Sequence, residues 1–210
     1  LYPYVYTNLK MKQKMNKLKR ERFTYLIIKI IPALLNRIKN FYYSYIFKTK
    51  QLRLGKNISF SGTKNISIGH NVLIGNQAWI DAISDGKISI GNNVSFSQNV
   101  HIASKYSVKI GNGCLIGSDV LITDHNHTTG LMHRDILPKN RELDVKGKTE
   151  IGENTWLSDN VKILSGVILG KNCVVAANSV VICNFPSDVV IGGIPAKIIK
   201  NFNLATIEKN

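Results

Sequence analysis

Aliphatic residues recur in this 210-residue chain at intervals of six, a period that neither an α-helix nor a plain strand produces. Ile68, Ile74 and Ile80 share a register, as do Ile90, Phe96 and Ile102, and then Ile110, Ile116 and Ile122. After a break, Ile151, Leu157, Ile163, Leu169, Val175 and Val181 run on without interruption. Glycine often follows the aliphatic, as in Ile74-Gly75 and Leu169-Gly170, and a small or β-branched residue such as Val72, Ala78, Cys114 or Cys173 stands four positions on. Asn or Asp precedes that residue at Asn71, Asn93, Asp119, Asn154, Asn160, Asn172 and Asn178. The unit suits a short strand and a tight corner, because Asn, Asp and Gly tolerate the left-handed backbone that a corner needs. Three such units close one triangular coil, and stacked coils share a core with strands about 4.8 Å apart. The repeat therefore predicts an all-β solenoid with five fairly complete coils from Ile68 to Val181 and a partial coil from Leu54.

With 44% apolar residues the chain can bury a core. Its formal charge of +15 is uneven. Residues 1–56 hold 14 Lys or Arg against one acid, Glu21, while the remainder is close to neutral. Seven cations from Lys10 to Arg22 lead into 23–47, where Leu26, Ile27, Ile30, Ile31, Leu34, Leu35 and Ile38 recur at helical spacing. A basic amphipathic helix suits an anionic membrane surface; packing of its apolar face on the solenoid is the competing reading. Lys29, Pro32, Arg37 and Lys39 interrupt the run, so neither a membrane-crossing helix nor a secretory signal is expected. The organisation expected is a basic helical segment over 1–50, a β-helix over 51–190 and a C-terminal capping helix over 191–210. No nucleic-acid module is legible. Three cysteines without a CxxC read as small thiols in a reducing compartment, not as a zinc site.

Between Ile122 and Ile151 the period stops. The inserted loop, 123–150, opens with Asp124, His125, Asn126 and His127 and also carries His133 and Arg134. A coil tolerates an insertion at a corner, and loops on rigid scaffolds often carry function. Imidazole titrates in the range that a general base needs. His125 is thus a candidate catalytic residue, with Asp124 either fixing its tautomer or capping a turn. By strand alternation His101, Trp79 and Trp156 all face outward; an outward indole implies a ligand or a neighbouring subunit. A metal held by His101, His125 and His127 is an alternative that their spacing does not favour, and a non-enzymatic scaffold is another.

The period, together with ITDHNH (122–127), IGENTWLSDNVKILSGVILGKNCVVAANSVV (151–181) and IGGIPAKIIK (191–200), resembles the hexapeptide-repeat acyltransferases, which fold as left-handed parallel β-helices. The resemblance covers roughly 54–200 and is nearest to the sugar O-acetyltransferase branch, which includes galactoside acetyltransferase and the O-acetyltransferases of bacterial O-antigen and capsule clusters. It implies acetyl-CoA as acetyl donor, a sugar hydroxyl of a surface polysaccharide or its precursor as acceptor, and His125 as base in a direct ternary complex. It also implies a homotrimer with sites between subunits, no metal, and a cytoplasmic location with the basic segment against the inner membrane face. N-acetyl transfer and transfer to a small sugar are the alternatives on the same fold. By position, Trp156 matches a tryptophan beside the thiol arm of the cofactor. Ser158, Asp159, Ala176 and Ala177 match the residues lining the pantetheine groove, with Asp159 replacing a serine. Lys197 and Lys200, on the expected terminal helix, match cations that meet the phosphates. The implied acceptor contacts are His127, Ser97, Asn99 and His101. Ser97 stands where the galactoside enzyme carries asparagine, which argues for a different sugar.

Overall fold

A computed structural model of the chain describes residues 23–202, so the cationic stretch Lys10–Arg22 lies outside the described residues. A helix, α1 (Phe23–Ile46), contains Pro32. The chain divides into two compact units between Phe41 and Tyr42, and the second unit carries everything that follows.

Three parallel sheets stack around one core, in about seven turns. The first face uses strands beginning at Arg53, Leu73, Ser95, Leu115, Trp156, Val174 and Val189. The second uses strands beginning at Ser59, Trp79, His101, Leu121, Lys162 and Val180, and the third those beginning at Ile66, Lys87, Ser107, Thr149 and Ile168. Register places like above like: Ile74, Phe96, Ile116, Leu157, Val175 and Ile191 form one inward column. Ile80, Ile102, Ile122, Ile163 and Val181 form the second. All of these are essentially inaccessible to solvent, and each contributes about 2 kcal/mol as an upper estimate for removing a large aliphatic side chain from water. At the first coil, Tyr43, Phe47 and Phe60 pack ring against ring, with Phe60 centred 5.4 Å from Tyr43 and 5.0 Å from Phe47.

The corners form as the sequence predicts. Asn71, Asn93, Asp119, Asn154, Asn160, Asn172 and Asn178 all take positive φ, between 55° and 61°. Their side chains also join successive coils: Asn154 Nδ2 donates to Asn172 Oδ1 (2.8 Å), and Asn172 Nδ2 donates to Asp188 Oδ1 (2.9 Å). Gly75 is required for a different reason, since a Cβ there would lie 2.1 Å from the Ser97 carbonyl oxygen of the next coil.

Two expectations are corrected. The coil count exceeds the five complete turns and one partial turn read from the sequence, because the first face gains a further strand, Val189–Gly193, beyond the last repeat position Val181. Among the described residues there is no C-terminal capping helix. Ala196–Asn201 is instead a strand, antiparallel to Val189–Gly193, with the Ile194-Pro195 pair and a left-handed Gly193 (φ +106°) in the turn. The β-branched pair Ile198-Ile199 favours a strand once a partner is in place, and that partner is supplied only by the folded coil.

Candidate active site

The site begins where the second face meets the inserted loop. Asp124 directly follows the strand Leu121–Thr123 and is fully buried. Its carboxylate accepts hydrogen bonds from Ser104 Oγ (2.8 Å) and from three successive backbone N–H groups, Lys105 (2.8 Å), Tyr106 (2.9 Å) and Ser107 (2.6 Å). A fifth comes from His125 Nδ1 at 3.0 Å. Burial alone would raise the Asp124 pKa, but the hydrogen bonds from His125, Lys105, Tyr106 and Ser104 outweigh it and hold it at about 2. The group is therefore an anion that can only accept, which assigns the proton on His125 to Nδ1 and leaves a lone pair on Nε2. Thr123 Oγ1 lies 3.2 Å from the same Nδ1 and so further fixes the ring, whose side chain is 12% exposed. Asp124 thus does both things that the sequence leaves open: it orients the imidazole and ties the loop entrance to the preceding coil.

Outward residues of the second face continue the site. Trp79 and His101 are ladder neighbours, and their rings stack at 4.3 Å with planes 5° apart. His101 is half-buried, and burial is the main cause of its lowered pKa; Asp81 opposes that shift and the nearby His125 adds to it. Asp81, two residues beyond Trp79, escaped the sequence reading although the alternation that turns Trp79 outward turns Asp81 the same way. Ser104 carries no sequence signal, because its importance lies in a contact with Asp124 made between coils. A groove of about 620 Å³ opens beside His101, bounded by Asn99, Leu121 and Lys162. Asn99 is committed to a corner, with Nδ2 donating to Asp119 Oδ1 (2.6 Å). Ser97 is half-buried at the adjoining corner. His127 sits on a short hairpin, Asn126–His127 with Leu143–Asp144, exposed, with Nδ1 donating to the Arg141 carbonyl (3.4 Å). Among the described residues no group of three His, Cys, Asp or Glu could hold a metal, so His101, His125 and His127 form no such set.

The remaining candidates gather elsewhere, on the first face and its corner. Trp156 is 48% exposed between Leu115 and Val174 in the outward column. Its neighbour Ser158 donates its N–H to the Val175 carbonyl (3.0 Å). Asp159 Oδ1 accepts from Ser118 N–H (2.6 Å), a coil-to-coil brace in the same style as Asn76 and Asn112. Ala176 and Ala177 follow one coil on, and a Cβ at Gly192 would stand 2.7 Å from Ile199 Cδ1 and 3.0 Å from the Cβ of Ala176, so Gly192 leaves no room for a side chain there. Lys197 lies opposite Gly192 and Lys200 opposite Val190 on the terminal hairpin, both exposed. Within one chain, then, an oriented imidazole and a band of indole, small residues and lysines occupy different faces.

Comparison with known proteins supplies the family. Residues 148–183 match the bacterial transferase hexapeptide (six repeats) family. The chain is 43% identical over 148 residues to WbbJ of Escherichia coli (strain K12), provisionally named a lipopolysaccharide biosynthesis O-acetyl transferase, and the match covers 68% of this chain and 74% of that protein. It is 34% identical over 93 residues to the galactoside O-acetyltransferase of the same strain, covering 42% of this chain and 44% of that enzyme. In fold it is similar to AntD, an N-acyltransferase from Bacillus cereus solved with dTDP and 3-hydroxybutyryl-CoA, with a TM-score of 0.66 at 18% identity over 81% of this chain and 91% of that one. A stacked hexapeptide coil with an imidazole at the mouth of its one long insertion, matched along most of its length to a relative of this kind, belongs to the hexapeptide-repeat transferase family, and the chain is an acetyltransferase of that family.

Proposed function

We propose that the protein transfers acetyl from acetyl-CoA to a hydroxyl of a sugar in a bacterial surface polysaccharide or its precursor, with His125 as general base. The observation that carries this reading is the Asp124–His125 pair: an ionised, fully buried carboxylate that holds Nδ1–H and leaves Nε2 to accept a proton. Acetyl-CoA supplies, when bound, the electrophilic thioester carbonyl. His125 Nε2 takes the proton of the acceptor hydroxyl as its oxygen attacks, and returns it to the departing sulfur. Asp124 stabilises the imidazolium in between. The Trp156 band fits a pantetheine arm because Ser158, Ala176 and Ala177 add little bulk, and Lys197 and Lys200 stand where phosphates would follow. His101, Ser97, Asn99 and His127 are the acceptor-side candidates.

Because the imidazole and the band occupy different faces of one chain, we place the complete site between two copies of a left-handed coil in a homotrimer. The names of WbbJ and the galactoside enzyme support a sugar acceptor and O-transfer. The apolar side chains of Leu34, Leu35, Ile38 and Phe41 on α1 are 58–78% exposed beside Arg37, which supports peripheral contact with an anionic membrane carrying a lipid-linked acceptor. No helix among the described residues is long and apolar enough to cross a membrane.

A His125→Ala variant tests the assignment. Acetyl transfer to lipopolysaccharide from radiolabelled acetyl-CoA should fall by roughly a thousandfold, in the range for loss of a general base, while coenzyme A still binds by calorimetry. Undiminished turnover removes His125 from the mechanism.

A further inference from the structure

Beside the acceptor-side candidate His101, the outward surface of the second face holds two residues, Trp79 and Asp81, that the proposed chemistry does not use. Trp79 is 48% exposed, yet its indole is fixed: His101 covers one ring face at 4.3 Å and nearly parallel. The ladder neighbour on its other side is Ser59, too small to cover the second ring face. Asp81 lies on the same side of the same strand, half-buried, and no hydrogen bond or ion pair engages its carboxylate among the described residues. In the next ladder column Asp81 pairs with Ala103, and Ala103 with Thr123, two residues short of His125. Two residues of extended strand advance about 6.6 Å, comparable to the span of one pyranose ring. An immobilised aromatic face, an unengaged carboxylate and the proposed base therefore follow one another across a single surface.

Pyranose rings match this order. One face of such a ring presents C–H bonds, weakly positive, to the electron-rich face of an indole, while its hydroxyls donate to a carboxylate. We propose that Trp79 is the stacking platform for the acceptor sugar, that Asp81 accepts hydrogen bonds from that sugar's hydroxyls, and that His101 is a positioning residue that locks the indole. This rests on the sugar O-acetyltransferase reading and names the surface that selects the acceptor.

The test uses the full chain and its Trp79→Ala, Trp79→Phe, Asp81→Asn and His101→Ala variants. The acceptor probes are methyl glycosides of galactose, glucose, rhamnose and N-acetylglucosamine, together with O-polysaccharide released from Escherichia coli lipopolysaccharide by mild acid. Trp79→Ala should raise the acceptor KM about tenfold (~1.4 kcal/mol), while the KM for acetyl-CoA and its slow hydrolysis in the absence of acceptor stay within about twofold. Trp79→Phe, which keeps an aromatic face, should recover most of the loss, and His101→Ala should act on the same parameter as Trp79→Ala. If the wild type acetylates none of these probes, the sugar O-acetyltransferase reading fails and this inference with it. If the wild type is active and Trp79→Ala leaves the acceptor KM unchanged, or Trp79→Phe raises it as much as Trp79→Ala does, the platform alone is overturned. If Trp79→Ala instead dissociates the oligomer in light scattering, the indole is a subunit contact and the platform is likewise overturned.

Discussion

At the scale of single residues, Asp124 links stability to the proposed catalysis. Its folded pKa of about 2 lies below the ordinary 3.8, so ionisation stabilises the fold above about pH 4, and that contribution fades as pH falls toward 2. Asp124→Asn should therefore cost about 2 kcal/mol at neutral pH, by conversion of the shift. Urea midpoints should show the gap to wild type closing between about pH 4 and pH 2; a pH-independent gap would mean that the carboxylate's charge is irrelevant. His125 is legible in the sequence because the loop that it opens is the one long break in a six-residue period. Ser104 is not, since its partner Asp124 sits 20 positions away, one turn on, and pairing across turns leaves no trace in a linear pattern. Asp159 shows the opposite difficulty: it matches a cofactor position by alignment, while its carboxylate braces Ser118.

Among the elements, the corners are the best-specified part of the fold, and their logic is testable. Asn172 has φ +56° and takes part in two side-chain bonds, with Asn154 and Asp188. Ala and Gly at this position both lose those bonds, but only Ala retains the steric cost of a left-handed backbone, about 1–2 kcal/mol. Asn172→Ala should accordingly melt below Asn172→Gly; equal melting would show that the side-chain ladder alone sets the corner. The terminal segment illustrates where local pattern fails. IGGIPAKIIK carries both a plausible turn and a plausible helix, and the partner strand at Val189–Gly193, present only after the coil has closed, decides for the strand. On α1, the exposed stripe predicts that the full chain co-sediments with vesicles containing phosphatidylglycerol and less so with neutral ones. Leu35→Ser combined with Phe41→Ser should weaken that binding about tenfold or more, from the loss of two large apolar contacts; unchanged sedimentation would favour a protein surface as the partner.

For the whole molecule, an imidazole on one face and a small-residue band on another predict sites shared between copies. If His125→Ala and Trp156→Ala are each inactive, mixing and refolding them together should restore about a quarter of wild-type activity, the random-pairing expectation for a ring in which each site draws one residue from each neighbour. No recovery in mixed oligomers would place the whole site within one chain. The aromatic cluster of Tyr43, Phe47 and Phe60 at the first coil and the antiparallel hairpin at the last have a consequence of another kind. A parallel stack is by nature a segment of a filament, with backbone donors and acceptors at each end ready to receive another copy. Here one end is plugged by aromatic rings, and at the other the Ala196–Asn201 strand occupies the first-face position where a further parallel strand would dock. Both features disfavour end-on pairing on the first face and favour contacts between the flat sides, as in the homotrimer proposed above.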